Sequence, residues 1–338
     1  MSQPVRFALL GTGRIGQVHA ASIHRSEDAV LTVAADAVAA GAERTAARYG
    51  GRATTDPFAA IAADDVDAVV IASPTPTHVE LLTAALDAGK AVLCEKPIDL
   101  DITRVDAVRD RARTAPRPVV LGFNRRFDPH FAELRRRVAA GEVGRLEHLA
   151  ITSRDPEPPP AEYVAVSGGI FRDMTIHDFD TARWFVPDVV SVTAVGLRQF
   201  SDGIAAAGDF DAAVVTLVGA GGESVTITNS RHSACGYDQR VEAFGPGGLL
   251  EVGNVTPTLV RASTATSSAT GEPYRRFFLE RYRDAYELEL AAFIATVRGE
   301  DTSSNPSPGF EDGRAALLLA DAAELSAREG RTVPVDLT

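Results

Sequence analysis

A carboxylate and an imidazole stand four residues apart at Asp173 and His177. In a helix that begins near Phe171, these residues fall on one stripe with Asp180 and Trp184, so the carboxylate lies beside the imidazole. Such a pair can hold the tautomer of the ring, raise its basicity and provide a general base near neutral pH. A solvated helix face that carries an ion pair is the alternative. A metal site is not predicted, because no third ligand is evident and both cysteines lie elsewhere in the sequence.

A second candidate is Lys96, which follows a buried apolar run within the segment CEKPI of residues 94–98. A lysine at the carboxyl end of a parallel strand points to the ligand side of the sheet. Pro97 then fixes the turn, for which a cis peptide bond is one conformation. A surface lysine at a strand end is the plainer alternative.

A complete G-x-G-x-x-G motif runs from Gly11 to Gly16, directly after an apolar run and before a helical stretch. Gly11 permits the tight turn, Gly13 lets the backbone approach a pyrophosphate, and Gly16 lets helix and strand pack closely. The helix amino terminus then faces the anion. Arg14 and Ile15 belong to the same loop and are counted with it as cofactor-binding candidates. An ordinary glycine-rich turn is the alternative, but the flanking strand and helix favour a dinucleotide site.

Asp36 ends the second apolar run, 25 residues after Gly11. At this position a carboxylate accepts hydrogen bonds from the ribose hydroxyls of the adenosine and repels a 2′-phosphate. Ala37 and Val38 follow, with no arginine to pair a phosphate, so the sequence favours NAD over NADP. The alternative is an ordinary acid at a strand end.

Two further segments combine hydroxyl, amide and guanidinium groups. They are GYDQR at residues 236–240 and GFNRRFD at residues 122–128. Such groups could bind a polyhydroxylated substrate. Turn chemistry and surface charge explain these residues nearly as well.

The elements that must position these groups differ between the two parts of the chain. Up to residue 122, short β-branched runs alternate with alanine-rich stretches, which predicts a doubly wound parallel sheet with crossover helices. The predicted strands are 7–10, 31–35, 68–72, 91–94 and 119–122, and the predicted helices are 15–24, 39–49, 78–88 and 103–113.

Residues 123–338 have longer, alternating segments, which predict a mainly antiparallel sheet. These segments are 146–153, 189–200, 211–218, 224–231, 239–245 and 249–252, and two helices follow at 280–298 and 309–329. We therefore expect an α/β protein with two domains, 1–122 for the dinucleotide and 123–338 for the substrate and assembly. The C-terminal helices could pack back on the first domain.

Composition excludes several classes of protein. With 338 residues the chain has room for about two domains, and it needs no disulfide framework. The net charge of -12 and the lack of a long basic cluster argue against nucleic acid as a partner. No apolar stretch is long enough to span a membrane. Two widely separated cysteines fit a reducing cytoplasm.

The motifs together resemble the Gfo/Idh/MocA oxidoreductase family, over nearly the whole chain. The resemblance is carried by residues 11–16 followed by His19, by the Glu-Lys-Pro of residues 95–97, and by residues 122–128, 169–180 and 236–240. Within the family, residues 153–156, 171–180 and 236–240 most resemble inositol 2-dehydrogenases.

This resemblance implies roles for individual residues. Lys96, Asp173 and His177 would form the catalytic set, with His177 as general base and Lys96 as hydrogen-bond donor to the reacting oxygen. The implied substrate contacts add three side chains to this set: Arg126, Asp155 and Tyr237. The implied cofactor contacts near the nicotinamide are Ser73, Thr75, His78 and Glu95.

The resemblance also implies a cytoplasmic enzyme of inositol catabolism that assembles as a homotetramer, with a dimer as the alternative. We expect NAD-dependent oxidation of myo-inositol to 2-keto-myo-inositol (scyllo-inosose). One alternative substrate is another cyclic polyol or a pyranose, such as scyllo-inositol or a glucose-like sugar. A second alternative is a sensor that binds NAD without chemistry.

Overall fold

A computed structural model describes residues 3–338 of the chain. Its strands are β1 Val5–Leu10, β2 Ala29–Ala35, β3 Arg52–Thr54, β4 Ala68–Ile71, β5 Ala91–Glu95, β6 Val119–Gly122, β7 His148–Arg154, β8 Val189–Leu197, β9 Ala212–Gly219, β10 Ser224–Ser230, β11 Asp238–Gly245, β12 Gly248–Val252 and β13 Val333–Pro334. Its α-helices are α1 Arg14–Arg25, α2 Ala39–Tyr49, α3 Pro57–Ala62, α4 His78–Asp87, α5 Ile102–Arg113, α6 Pro129–Ala139, α7 Ala161–Val164, α8 Ile176–Phe185, α9 Asp202–Ala206, α10 Phe278–Arg281, α11 Arg283–Arg298 and α12 Phe310–Glu329.

The chain divides into two compact units. The first comprises the chain up to Asp128 together with Asp284–Ala315, and the second comprises Pro129–Arg283 and Ala316–Thr338. The boundary that the sequence suggests, at residues 122 and 123, stays a prediction. None of the helices in residues 3–338 has the length and apolar character that a membrane span requires.

The first unit contains a parallel sheet of six strands in the order β3-β2-β1-β4-β5-β6. Its central strands are continuous apolar runs because helices cover both faces of the sheet. Phe7, Leu9 and Val70 lie in one core with Phe293 of α11. The predicted doubly wound sheet is confirmed. The strand order reverses between β1 and β4, so the ligand crevice of such a sheet lies at their carboxyl ends.

The second unit contains a sheet of seven strands in the order β12-β11-β7-β10-β9-β8-β13. All neighbouring pairs are antiparallel except β7 and β10, which run parallel. The prediction of a mainly antiparallel sheet is therefore confirmed. The sequence does not predict the parallel pair, because β7 and β10 are neighbours in the sheet although β8 and β9 separate them in the chain.

The two faces of this second sheet differ in polarity and exposure. One face is buried and apolar along most of its length, but one of its rows consists of the polar residues Asn229, Ser153 and Gln239. The other face is more exposed, and it includes Val195 and Val214, which are paired across β8 and β9. The polar row marks the part of the buried face that supports the candidate site.

Two helical predictions differ from the structure. The predicted helix that begins near Phe171 starts with a π-helical turn, Phe171–Thr175, and continues as α8. The predicted helix over residues 280–298 is divided into α10 and α11 at Tyr282. The side chain of Tyr282 is buried and its ring packs edge-on against Tyr237, so tertiary packing decides the local backbone here.

Candidate active site

The glycine-rich loop has the geometry that a bound pyrophosphate needs. Gly11 has a φ of +96°, and a Cβ there would lie 2.5 Å from the carbonyl oxygen of Ala72. A Cβ at Gly16 would collide with the backbone of Gly11. By contrast, a Cβ at Gly13 would meet nothing within 4 Å. Packing therefore requires the first and third glycines, while the second faces open space in which a ligand can approach the backbone.

The amino terminus of α1 is available to an anion. Gly13 is the N-cap residue, no side chain caps the helix, and its first turn, which includes the candidates Arg14 and Ile15, has no acidic residue. The backbone N–H groups of a first turn have no partner within the helix. They and the helix dipole attract a phosphate at this position. The first unit thus fits the pyrophosphate of a dinucleotide.

Asp36 is held rigidly at the end of β2. Its Oδ2 atom accepts hydrogen bonds from the backbone N–H and the hydroxyl of Thr12, both at 2.7 Å, and its Oδ1 atom accepts one at 2.9 Å from Val38 N–H. Partial burial opposes ionisation, but these hydrogen bonds outweigh it and lower the pKa of Asp36. The side chain is therefore a fixed anion beside the glycine loop, as a contact to ribose hydroxyls requires.

The loop after β4 is tied to the turn after β5 by His78. The two ring nitrogens of His78 lie 2.8 Å from the carbonyl oxygens of Pro97 and Ser73. The Ser73 hydroxyl is hydrogen-bonded to the Thr77 hydroxyl. Thr75 begins the short 3-10 turn that ends at Thr77. His78 is almost completely buried, so it holds both loops together from the interior of the unit. Ser73 and Thr75 are more exposed.

Glu95 and Lys96 stand at the carboxyl end of β5. Glu95 is the last residue of the strand, and its Oε1 atom lies 2.8 Å from Nε2 of buried His19. Lys96 follows as a partly exposed residue, and the Lys96–Pro97 peptide bond is cis. The structure thus places both residues at the carboxyl edge of the parallel sheet that also carries the glycine loop.

In the second unit, Asp173 lies in the π-helical turn and His177 lies in the first turn of α8. The π-helical turn has a longer repeat than the α-helix, so α-helical spacing does not apply within residues 171–175, and the stripe that joins Asp173 to His177 stays a prediction. Tyr163 donates a hydrogen bond from its hydroxyl to Asp173 at 2.8 Å. His177 is partly exposed. π-Helical turns are frequent at functional sites.

Arg231 is a site residue that the sequence analysis missed. It is only 1% exposed, and its guanidinium donates to Asp173 at 3.3 Å and to Asp209 at 3.2 Å. Asp209 also accepts a hydrogen bond from the backbone N–H of Ile170, at the start of the π-helical turn. The buried guanidinium of Arg231 therefore helps to hold the carboxylate of Asp173 in position.

A buried polar network anchors the start of α8 to the sheet. Asp178, next to His177, accepts hydrogen bonds from the hydroxyl of Ser153 at 2.5 Å and from the amide of Asn229 at 2.8 Å. Thr175 donates to the same Asn229 at 2.6 Å. Because all four groups are buried and paired, the backbone that carries His177 is held in one position.

The predicted substrate contacts fall in two places. In the second unit, Asp155 follows β7 and Tyr237 precedes β11, and the paired ends of these strands make the two residues neighbours at one edge of the sheet. Arg231 follows the parallel strand β10 at the same edge. In the first unit, Arg126 is buried and ion-paired with Asp312 at 2.9 Å.

Residues 3–338 contain no group of His, Cys, Asp and Glu side chains that could hold a metal ion. The candidate residues supply an imidazole and carboxylates in the second unit, and an ammonium group at the carboxyl end of β5 in the first unit. The first unit is a Rossmann domain that binds NAD, and such a domain serves hydride transfer.

Comparison with known protein families identifies the family of this chain. The profile described as "Oxidoreductase family, NAD-binding Rossmann fold" matches residues 5–123, and the profile described as "GFO/IDH/MocA C-terminal domain" matches residues 131–251. The chain belongs to the Gfo/Idh/MocA family of oxidoreductases, which confirms the resemblance seen in its motifs. It is an NAD-dependent oxidoreductase.

Individual relatives match over nearly their full length. The chain is 45% identical over 332 residues to an inositol 2-dehydrogenase of Rhizobium meliloti, covering 98% of this chain and 99% of the relative. A crystal structure of a myo-inositol dehydrogenase from Corynebacterium glutamicum is 51% identical, with a TM-score of 0.93 and coverage of 98% and 99%. A scyllo-inositol dehydrogenase from Lactobacillus casei, solved with NAD(H) and scyllo-inositol, is 28% identical, with a TM-score of 0.88 and coverage of 98% and 99%.

Proposed function

We propose that this protein oxidises myo-inositol to 2-keto-myo-inositol (scyllo-inosose), with NAD as the hydride acceptor. The observation that carries the proposal is the similarity to inositol dehydrogenases over both units, including the unit with Asp173 and His177. Myo-inositol is favoured over scyllo-inositol because the relative named for myo-inositol is 51% identical and the one solved with scyllo-inositol is 28% identical. Another cyclic polyol or a pyranose is the alternative substrate.

The proposed chemistry divides a secondary alcohol into a hydride and a proton. NAD, when bound, accepts the hydride. We assign the proton to His177, which acts as general base, while Asp173 orients the ring and stabilises the imidazolium. Lys96 donates a hydrogen bond to the reacting oxygen and favours its developing negative charge. The hydrogen bonds from Tyr163 and Arg231 support this role by holding the Asp173 carboxylate.

The remaining hydroxyls of a polyol need several donors and acceptors. We assign these contacts to Asp155 and Tyr237, which lie at one edge of the second sheet, and to Arg126. Because Arg126 is paired with Asp312, we expect its guanidinium to donate hydrogen bonds to the substrate while it stays in the ion pair.

The test is the initial rate of NADH formation with myo-inositol, scyllo-inositol, chiro-inositol, glucose and xylose. We expect kcat/KM for myo-inositol with NAD to exceed that for glucose by at least about tenfold. A polyol whose hydroxyls do not match the site leaves polar groups of the protein without hydrogen-bond partners, which weakens its binding in the transition state. Activity on a sugar alone would replace the substrate and keep the chemistry. NAD binding without NADH formation from any of the five would favour the sensor.

Cofactor choice is expected to depend on Asp36. Replacing Asp36 with Ala removes the fixed anion that repels a 2′-phosphate, so the ratio of kcat/KM for NADP to that for NAD should rise by about tenfold or more. Asp64→Ala, which removes an exposed carboxylate of the same unit, is the control and should leave the ratio unchanged. An unchanged ratio in Asp36→Ala would contradict the assignment.

We propose a homotetramer, with a dimer as the alternative, assembled through the exposed face of the second sheet. Exposed apolar side chains along this face support the proposal: Val195, Val214, Val218, Phe244 and Leu249. Sedimentation velocity should show an oligomer, and the double substitution Val195→Lys with Val214→Lys should yield smaller species. Val260→Lys, at an exposed loop position outside the sheet, is the control. A monomeric natural protein at micromolar concentration would refute this.

We place the reaction in the cytoplasm, as part of inositol catabolism. Cys94 and Cys235 are both free thiols, which suits a reducing compartment. The net charge of -12 continues to argue against nucleic acid as a partner.

A further inference from the structure

Three ionisable side chains lie together inside the first unit, and the proposed chemistry does not use two of them. They are His19 of α1, Glu95 at the end of β5 and Glu289 of α11, called here the buried acid cluster. His19 is 1% exposed, Glu289 is 0% exposed and Glu95 is 8% exposed. Nε2 of His19 lies 2.8 Å from Oε1 of Glu95, which makes the first link of the cluster.

The other end of the cluster lacks its hydrogen bonds. Among the described residues, neither carboxyl oxygen of Glu289 has a hydrogen-bond partner, and neither does Nδ1 of His19. Tyr286 stands one turn before Glu289 on the same face of α11, and its ring packs edge-on against His19 at 5.8 Å. Unpaired polar atoms at this depth are costly, and a buried water between these groups would satisfy both.

Burial and the negative charge of Glu95 raise the pKa of Glu289 well above its ordinary value. Complete burial without a hydrogen-bond donor among the described residues favours the neutral, protonated carboxyl, which can donate a hydrogen bond. When Nε2–H of His19 donates to Glu95, Nδ1 of the ring is an acceptor. The unpaired donor and the unpaired acceptor are thus complementary.

We propose that a buried water accepts a hydrogen bond from Glu289 and donates one to Nδ1 of His19, and that His19 donates to Glu95. The single negative charge of this cluster, resting on Glu95, then favours NAD⁺ over NADH. Glu289 and His19 are positioning residues, and Glu95 is the residue that the cofactor senses. The inference rests on the proposed function in one respect, the use of a nicotinamide cofactor.

The location of Glu95 explains why its charge would matter. Asp36 at the end of β2 and the glycine loop after β1 fix the adenosine and pyrophosphate positions. The other half of a dinucleotide bound there would extend across the switch point towards the carboxyl ends of β4 and β5. The oxidised nicotinamide ring is a cation and the reduced ring is neutral. A fixed anion in a poorly hydrated site therefore stabilises the oxidised form more.

The experiment measures the dissociation constants of NAD⁺ and NADH by calorimetry, without inositol. We expect Glu95→Gln to weaken NAD⁺ relative to NADH by about tenfold. Glu289→Gln, whose amide replaces a protonated carboxyl, should keep the ratio within about twofold. Glu287→Gln removes a half-exposed carboxylate of the same helix and is the control for a general charge effect.

A spectroscopic readout tests the proton itself. The infrared spectrum of the natural protein should contain a carboxylic-acid C=O band at neutral pH that Glu289→Gln lacks and Glu287→Gln retains. Absence of this band, an unchanged ratio in Glu95→Gln, or an equal loss in Glu289→Gln would each overturn the proposal. Failure of inositol oxidation alone would refute the proposed substrate and leave these binding results interpretable.

Discussion

Replacing His177 with Ala is expected to lower kcat for inositol oxidation by roughly 100- to 10,000-fold, because the proton of the reacting hydroxyl loses its acceptor. The dissociation constant of NAD should be unchanged, since the residue lies in the substrate unit and not in the glycine loop. Stopped-flow measurement of NADH formation at saturating NAD and inositol gives the turnover, and a calorimetric titration with NAD alone gives the dissociation constant.

His24→Ala is the matched control, because this exposed histidine of α1 has no assigned role. It should keep normal turnover. Added imidazole should partly restore the rate of His177→Ala, as expected when a missing base is supplied from solution. Near-normal turnover of His177→Ala with NAD bound would rule the residue out as general base.

The second large effect concerns stability. Replacing Arg231 with Met should lower the free energy of unfolding by about 3–5 kcal/mol, because it leaves two buried carboxylates without their shared cation. The side chains of Asp173 and Asp209 are only 15% and 7% exposed, so water replaces the guanidinium poorly. Urea unfolding monitored by circular dichroism at neutral pH would measure the loss.

The control is Arg136→Met, which removes an arginine that pairs with Glu133 on the surface of α6. Such exposed pairs contribute about 0–1 kcal/mol. Arg231→Lys adds a graded test, because a lysine keeps the charge but cannot reach two carboxylates with a planar fork. If Arg231→Met and Arg136→Met lose equally little, the buried ion network does not stabilise the unit.

The parts of the site that could be predicted from the sequence are those set by local structure. The glycine loop needs only a strand before it and a helix after it, and Asp36 and Lys96 are recognisable because each ends an apolar run. Short-range patterns of this kind fix the first sheet almost completely, since each parallel strand is followed by its own helix.

Arg231 could not be found in the same way. Its contact with Asp173 joins residues 58 positions apart, and Arg231 follows β10, which lies parallel to β7 and next to it. Nothing in the alternating pattern of either strand encodes that neighbour. Glu289 was equally hidden, because a glutamate in a helix is ordinarily an exposed residue, and only the packing of α11 against the first sheet buries it.

The bridging position of His78 has a consequence for motion. Because its ring joins the carbonyl groups of Ser73 and Pro97, the loop after β4 and the turn that carries Lys96 are fastened to each other. Hydrogen bonds from one ring to both segments restrict their independent motion, so we expect less conformational entropy to be lost when a ligand orders either one. We therefore expect the backbone around Lys96 to be ordered before the substrate binds. Such preorganisation spares the entropy that ordering the segment during each turnover would cost.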